Sequence, residues 1–256
     1  MSARGAMMTL ALALMVGTSR AGEIFFDDFS DGSVTNDVPV SIDGTPVIWS
    51  NDDDGIYDAS SGDFVFTPRQ PDAGEYTGAN VSDLLLADTS MRVQGTISGG
   101  QGSSLIMTAR NQVIGDTQHY VGGIGYFPNL GGTILFIGKN DLGVDYTQFG
   151  GNPVMPFDIR KEDAVVQLDV IGDTISLWAW RARDVPPEQP QLTAHDSTYT
   201  AAGFVRIAGG TGVNRDSVTT LRYVQVANEH IAVPEPSTAM LAWLGLIPLF
   251  RYGRKK

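Results

Sequence analysis

The chain has 256 residues, a formal net charge of −12, 42% hydrophobic side chains, 30 glycines and 13 prolines. That length is enough for one large β domain or two small ones, and the glycine and proline load points to many turns between short strands. With 17 basic residues against 29 acidic ones, the composition excludes partners that need a positive patch, nucleic acid and anionic lipid headgroups among them. The absence of cysteine excludes disulfides, thiolate nucleophiles and cysteine-ligated metals.

Residues 1–21 carry a basic start at Arg4, an apolar stretch over 6–16, and small residues at Ser19 and Ala21. This is the order of a secretory signal, with signal peptidase cutting before Gly22. The apolar run falls short of the roughly 20 residues of a spanning helix, which argues against the alternative, an uncleaved anchor.

From Gly22 to Ala227 the apolar residues alternate rather than recur at helical spacing, and glycine, asparagine or aspartate separates the alternating runs. Strands are expected over 24–29, 46–49, 63–67, 90–97, 104–109, 119–127, 133–138, 165–171, 174–181, 203–207 and 218–227. That number of short strands implies two packed antiparallel sheets. The proline-rich stretch 186–190 reads as a loop, because strands resume beyond it and must pair back.

One hairpin resolves residue by residue. Gly172-Asp173 is a two-residue turn with glycine first, as a type II′ turn requires. The register then pairs Val170 with Ile175, Leu168 with Leu177 and Val166 with Ala179 on a core-facing side. Asp169 with Ser176, Gln167 with Trp178 and Val165 with Trp180 fall on the opposite side. Trp178, Trp180, Gln167 and Asp169 are therefore a candidate sugar platform, with indole faces for pyranose C–H groups and polar groups for hydroxyls. The plainer alternative is that a loop such as 183–198 covers the indoles.

Two acidic turns, 27–32 and 51–55, supply oxygen donors of the kind calcium takes. Neither forms a twelve-residue loop ending in glutamate, and the alternative is solvated Asx turns. Asp28, Asp52 and Asp54 are the candidates within them. Catalytic patterns are missing from the sequence. The 3 histidines form no His-Glu-x-x-His segment, Ser103 and Ser104 lie outside any Gly-x-Ser-x-Gly elbow, and no strand carries the alternating carboxylates of a retaining glycosidase. No enzymatic activity is expected.

The body resembles concanavalin-A-like (laminin-G-like) jelly-roll domains. The resemblance rests on Asp27-Asp28-Phe29-Ser30-Asp31-Gly32, the hairpin from Leu168 to Ile175, and the late strands at 203–207 and 218–226. It implies an all-β jelly-roll sandwich over residues 22–228, a glycan face on the concave sheet, and a structural calcium that would bring Asp216 together with Asp28.

The end reads Val233-Pro234-Glu235-Pro236-Ser237-Thr238, then an apolar run to Phe250, then Arg251, Arg254, Lys255 and Lys256. The prolines hold Glu235 in an extended segment. The apolar run just suffices as a membrane helix over 238–252, and the basic cluster stays cytoplasmic. This order resembles the PEP-CTERM sorting signal of bacteria, against the alternative of an ordinary tail anchor with a chance Pro-Glu-Pro. The resemblance implies that Pro234, Glu235 and Pro236 are recognised by an exosortase-type processing protease, with residues 229–256 as the sorting segment. It further implies a cell-surface or extracellular destination and a link to exopolysaccharide or biofilm matrix. Without Arg4, Arg20 and the residues from Pro234 onward, 11 basic and 28 acidic residues remain, a net charge of −17. The expected function is a non-catalytic exported protein, glycan-binding or structural. A carbohydrate-active enzyme on the same scaffold is the alternative.

Overall fold

A computed structural model describes residues 22–33, 48–112, 118–141 and 144–232. The signal segment, the Pro234-Glu235-Pro236 motif and the apolar run 238–252 lie outside the described residues. Among the described residues no helix is long and apolar enough to cross a membrane.

Among the described residues fifteen strands run in chain order as β1 (Glu23–Asp27), β2 (Ser50–Asn51), β3 (Gly55–Asp58), β4 (Phe64–Pro68), β5 (Tyr76–Leu86), β6 (Thr89–Ser98), β7 (Ser103–Asn111) and β8 (His119–Phe127). The remainder are β9 (Gly132–Asp141), β10 (Val144–Gln148), β11 (Ala164–Ile171), β12 (Thr174–Arg181), β13 (Leu192–His195), β14 (Gly203–Thr211) and β15 (Val218–Ala227). They form two antiparallel sheets. The first is ordered β13-β12-β11-β6-β15-β4-β3, with β1 also on β15, and the second β10-β9-β8-β7-β14-β5-β2. β4 lies along Thr219–Leu221 and β1 along Val224–Ala227, so the two short strands share one edge of β15.

The hairpin expected from Gly172-Asp173 forms with each of its predicted pairs, from Ile171 opposite Thr174 to Val165 opposite Trp180. Gly172 sits at φ +59°, the positive angle a type II′ turn needs at its first central position and one that costs a side chain. The inward residues Val166, Leu168, Val170, Ile175, Leu177 and Ala179 are fully buried. They pack against β8 and β9 of the second sheet, where Leu168 fills the space above Gly122. Burial of each such side chain contributes about 1.5–3 kcal/mol, enough for this layer to anchor the two sheets.

Beside β1 a buried polar contact is set among aromatic rings. Trp49 Nε1 donates to Asp27 Oδ2 at 2.9 Å, and Phe29 and Phe64 pack with ring centroids 5.0 Å apart. Burial pushes the Asp27 carboxyl up from its ordinary range, against the donors Trp49 and Phe29 N–H. The strand expected over 46–49 is instead the two-residue β2, shifted toward the acidic turn; residues 46 and 47 lie outside the described residues. At the other end Asn228 N donates to Gly22 O at 3.0 Å, so the sandwich begins and finishes at one point.

Candidate functional site

Trp178, Trp180, Gln167 and Asp169 do meet on the outward face of the first sheet, as the register requires. That face is not open. Residues 229–232 lie across it, held by β6 and β11. Arg92 Nη2 donates to the Ile231 carbonyl at 2.8 Å, Gln167 Nε2 donates to the same oxygen at 3.1 Å, and Ile231 N donates to Ser90 Oγ at 3.2 Å. His230 Nδ1 stands 2.6 Å from Asp169 Oδ2, and its ring packs on Trp178 with centroids 5.3 Å apart. Arg92 also donates through Nε to Gln167 Oε1 at 2.9 Å, and its guanidinium lies over Trp180. Trp178 and Trp180 are each only 8% exposed, and Gln167 is 0% exposed. The four residues of the expected sugar platform are therefore brought together but enclosed. Gln167 and Asp169 are committed to partners, His230 lies on Trp178, and Trp180 is bordered by Arg92 and by Asp184 and Pro186 of the expected 183–198 loop.

The four calcium candidates do not form one site. Asp28 Oδ1 accepts from Ser30 N at 3.1 Å, an Asx turn, and Ser30 holds the Asp28 carboxyl below its ordinary range. Asp27 opposes Val224 on β15, whereas Asp216 precedes that strand. The rise per residue in a strand puts Asp28 and Asp216 on the order of 20 Å apart. Asp52 and Asp54 lie together elsewhere, on the turn between β2 and β3. Asp52 accepts from Arg206 and from Asn80 Nδ2, and Asp54 Oδ2 accepts from Gly74 N at 2.9 Å. Asp54 Oδ1 and Asn51 Oδ1 are buried with no hydrogen-bond partner, so this turn retains two oxygens of the hard type that calcium takes. Among the described residues no three His, Cys, Asp or Glu side chains converge as metal ligands.

The same turn borders a trough of about 1020 Å³ on the outward face of the second sheet. Its floor follows from strand register. Gly78, Ala208, Ile106, Gly123 and Phe136 stand opposite one another across five strands, and Asn80, Arg206, Thr108, Val121 and Gly138 form the next row. Glycine in these rows makes room for rings. A Cβ on Gly123 would stand 2.9 Å from Phe136 Cζ, and one on Gly138 would stand 2.4 Å from Tyr146 Cε2. Phe136 packs onto Ile106, Val121 and Ala208, and so does Tyr76. Burial, and next the Glu75 carboxylate, hold the Tyr76 hydroxyl well above the ordinary phenol range. It stays a neutral O–H donor. Amide and hydroxyl groups also line it: Asn80, Thr108 and Asn111 are hydrogen-bonded within the fold, whereas Asn140 Oδ1 is buried without a hydrogen-bond partner. The trough thus combines apolar faces with a few polar groups, the make-up common to small-molecule sites.

The sequence reading missed this trough because its aromatics come singly from different strands and make no linear motif. The available signal was the outward-facing glycines Gly123 and Gly125 of β8 and Gly210 of β14, which are costly inside strands unless something lies close above the backbone.

This architecture is an all-β sandwich of two antiparallel sheets. The chain is similar to the exoplasmic/lumenal domain of VIP36 in a form bound to Ca2+ and Man3GlcNAc, with 12% identity, 76% of this chain and 88% of that chain covered, and a TM-score of 0.51. It is also similar to a xylan β-1,4-xylosidase from Bacillus halodurans, with 10% identity, 82% of this chain covered and a TM-score of 0.54, although the match spans only 40% of that enzyme. The GH43 protein BlXynB from Bacillus licheniformis matches at 11% identity, over 80% of this chain and 39% of that one, with a TM-score of 0.53. No protein-family model matches the chain, and no curated protein does.

Proposed function

We propose that the chain is an exported, non-catalytic glycan-binding β-sandwich that holds sugar in the concave trough of the second sheet. The observation that carries this reading is the trough itself, where Phe136 and Tyr146 lie over glycines among amide and hydroxyl groups. The likeness to VIP36, a sugar-bound domain by its description, supports it at the level of fold. In this reading the tail delivers the module: Pro234, Glu235 and Pro236 are read by an exosortase-type protease, and the sandwich reaches the cell surface or a polysaccharide matrix. Calcium enters at the turn between β2 and β3, where Asp54 Oδ1 and Asn51 Oδ1 are available. There it would supply charge and rigidity to the rim, while Asp52, tied to Arg206, would stay outside the ligand set.

The test is a glycan array probed with the full chain and with Phe136→Ala. Retention on a polysaccharide that the variant loses supports the proposal, and identical signals from both overturn the trough assignment. Release of reducing sugar by the purified chain would turn the reading to the carbohydrate-active enzyme. Secretion of a chain lacking residues 234–256 to the same destination would overturn the sorting step.

A further inference from the structure

The charges around the trough are unevenly distributed. Asp52, Asp54 and Glu75 line its rim at the β5 side. Among the described lining residues Arg206 is the one Arg or Lys, and its guanidinium is spent on Asp52. The Glu75 carboxylate accepts a hydrogen bond from the hydroxyl of its neighbour Tyr76 at 3.1 Å, a bond that brings no opposite charge to the rim. A polymer bearing a carboxylate or sulfate on each sugar would bring repeated negative charge to this rim and meet no uncommitted lysine or arginine there. Unlike charges steer association and like charges suppress it.

The length of the trough is also informative. The row from Gly78 to Phe136 crosses five strands, which at the usual strand spacing is roughly 20 Å. A single pyranose would touch only a fraction of that row. Tyr76 and Phe136 pack on the same cluster of Ile106, Val121 and Ala208, so a sugar held by these rings leaves the rest of the row to its neighbours in a chain.

Resting on the proposed trough, we infer that this site selects a run of several neutral sugar residues and discriminates against acidic polysaccharides, with Glu75 as a specificity determinant. The test compares the full chain on linear neutral oligosaccharides of increasing length, on the corresponding monosaccharides, and on polygalacturonate, by calorimetry and affinity electrophoresis in one buffer. The expected result is affinity for neutral oligomers at least about tenfold above that for the monosaccharides, no retention on polygalacturonate, and a gain of polygalacturonate retention in Glu75→Lys. Equal affinity for monosaccharide and oligomer, or retention on polygalacturonate equal to that on neutral chains, would overturn the inference while leaving glycan binding intact. Failure to bind any of these glycans would overturn both.

Discussion

Arg92 Nη2 and the carbonyl oxygen of Ile231 are 2.8 Å apart, a bond between β6 and a residue 139 positions later that has already left the last strand. The same guanidinium is shared with Gln167 and reaches the Ala232 carbonyl at 3.3 Å. Arg92 is 4% exposed, so these are charge-assisted bonds out of bulk water. Arg92→Ala is expected to cost about 2–4 kcal/mol of stability, because it removes the bonds and leaves buried acceptors unmet. Urea unfolding checks the magnitude. Faster amide exchange at Ile231 than in β15 would locate it.

Opposite results are expected from aromatic truncation on the two sheets. Trp178→Ala should lower stability by about 3 kcal/mol and leave glycan retention unchanged, since Trp178 lies beneath His230. Phe136→Ala, on the trough floor, should cost less stability and reduce retention at least about tenfold. Thermal melts and affinity electrophoresis of both variants separate the roles.

Gly138→Ala tests the ring-on-glycine arrangement. The added Cβ would stand 2.3 Å from Thr147 O and 2.4 Å from Tyr146 Cε2. β10 must shift to admit it. A loss of about 1–3 kcal/mol is expected, together with weakened glycan retention, because the Tyr146 ring is displaced.

Two carboxylates set the acid limit. Arg160 holds Asp158 down to about 2 against the opposing effect of burial. At Asp196 burial works upward, but donors from Thr198, Tyr120 and Lys139 outweigh it and the carboxyl again lies at about 2. Their unfolded value is 3.8. The folded values are the lower ones, so the stability they contribute is present above about pH 4 and is lost as pH falls toward about 2. After allowance for partial exposure the loss should be on the order of 1–2 kcal/mol in total. Urea midpoints across that range check it, and Asp196→Asn should flatten the curve.

The hairpin of β11 and β12 was legible to the residue, since strict alternation on both strands and a Gly-Asp turn leave one register that buries the apolar set. β5 was not legible. Its inward residues Thr77, Ala79 and Val81 are small, and Gly78, Asn80 and Asp83 interrupt any apolar rhythm, yet it pairs along most of β14. The sequence also placed Trp178 and Trp180 on one outward face without revealing that His230 lies on Trp178, because residues 229–232 have no strand pattern of their own. The trough was hidden for a related reason. A concave surface is a product of how seven strands curve together, and no single strand records it.

The bond from Asn228 to Gly22 has a mechanical consequence. With both ends of the sandwich at one corner, a pull between them would open β1 from β15 like a zipper, rupturing its links in sequence under low force. A load entering from beyond Ala232 meets Arg92, Gln167 and Ser90 first, and these must give way together before any tension reaches that corner. The strap thus acts as a strain relief against a load applied through the chain after Ala232.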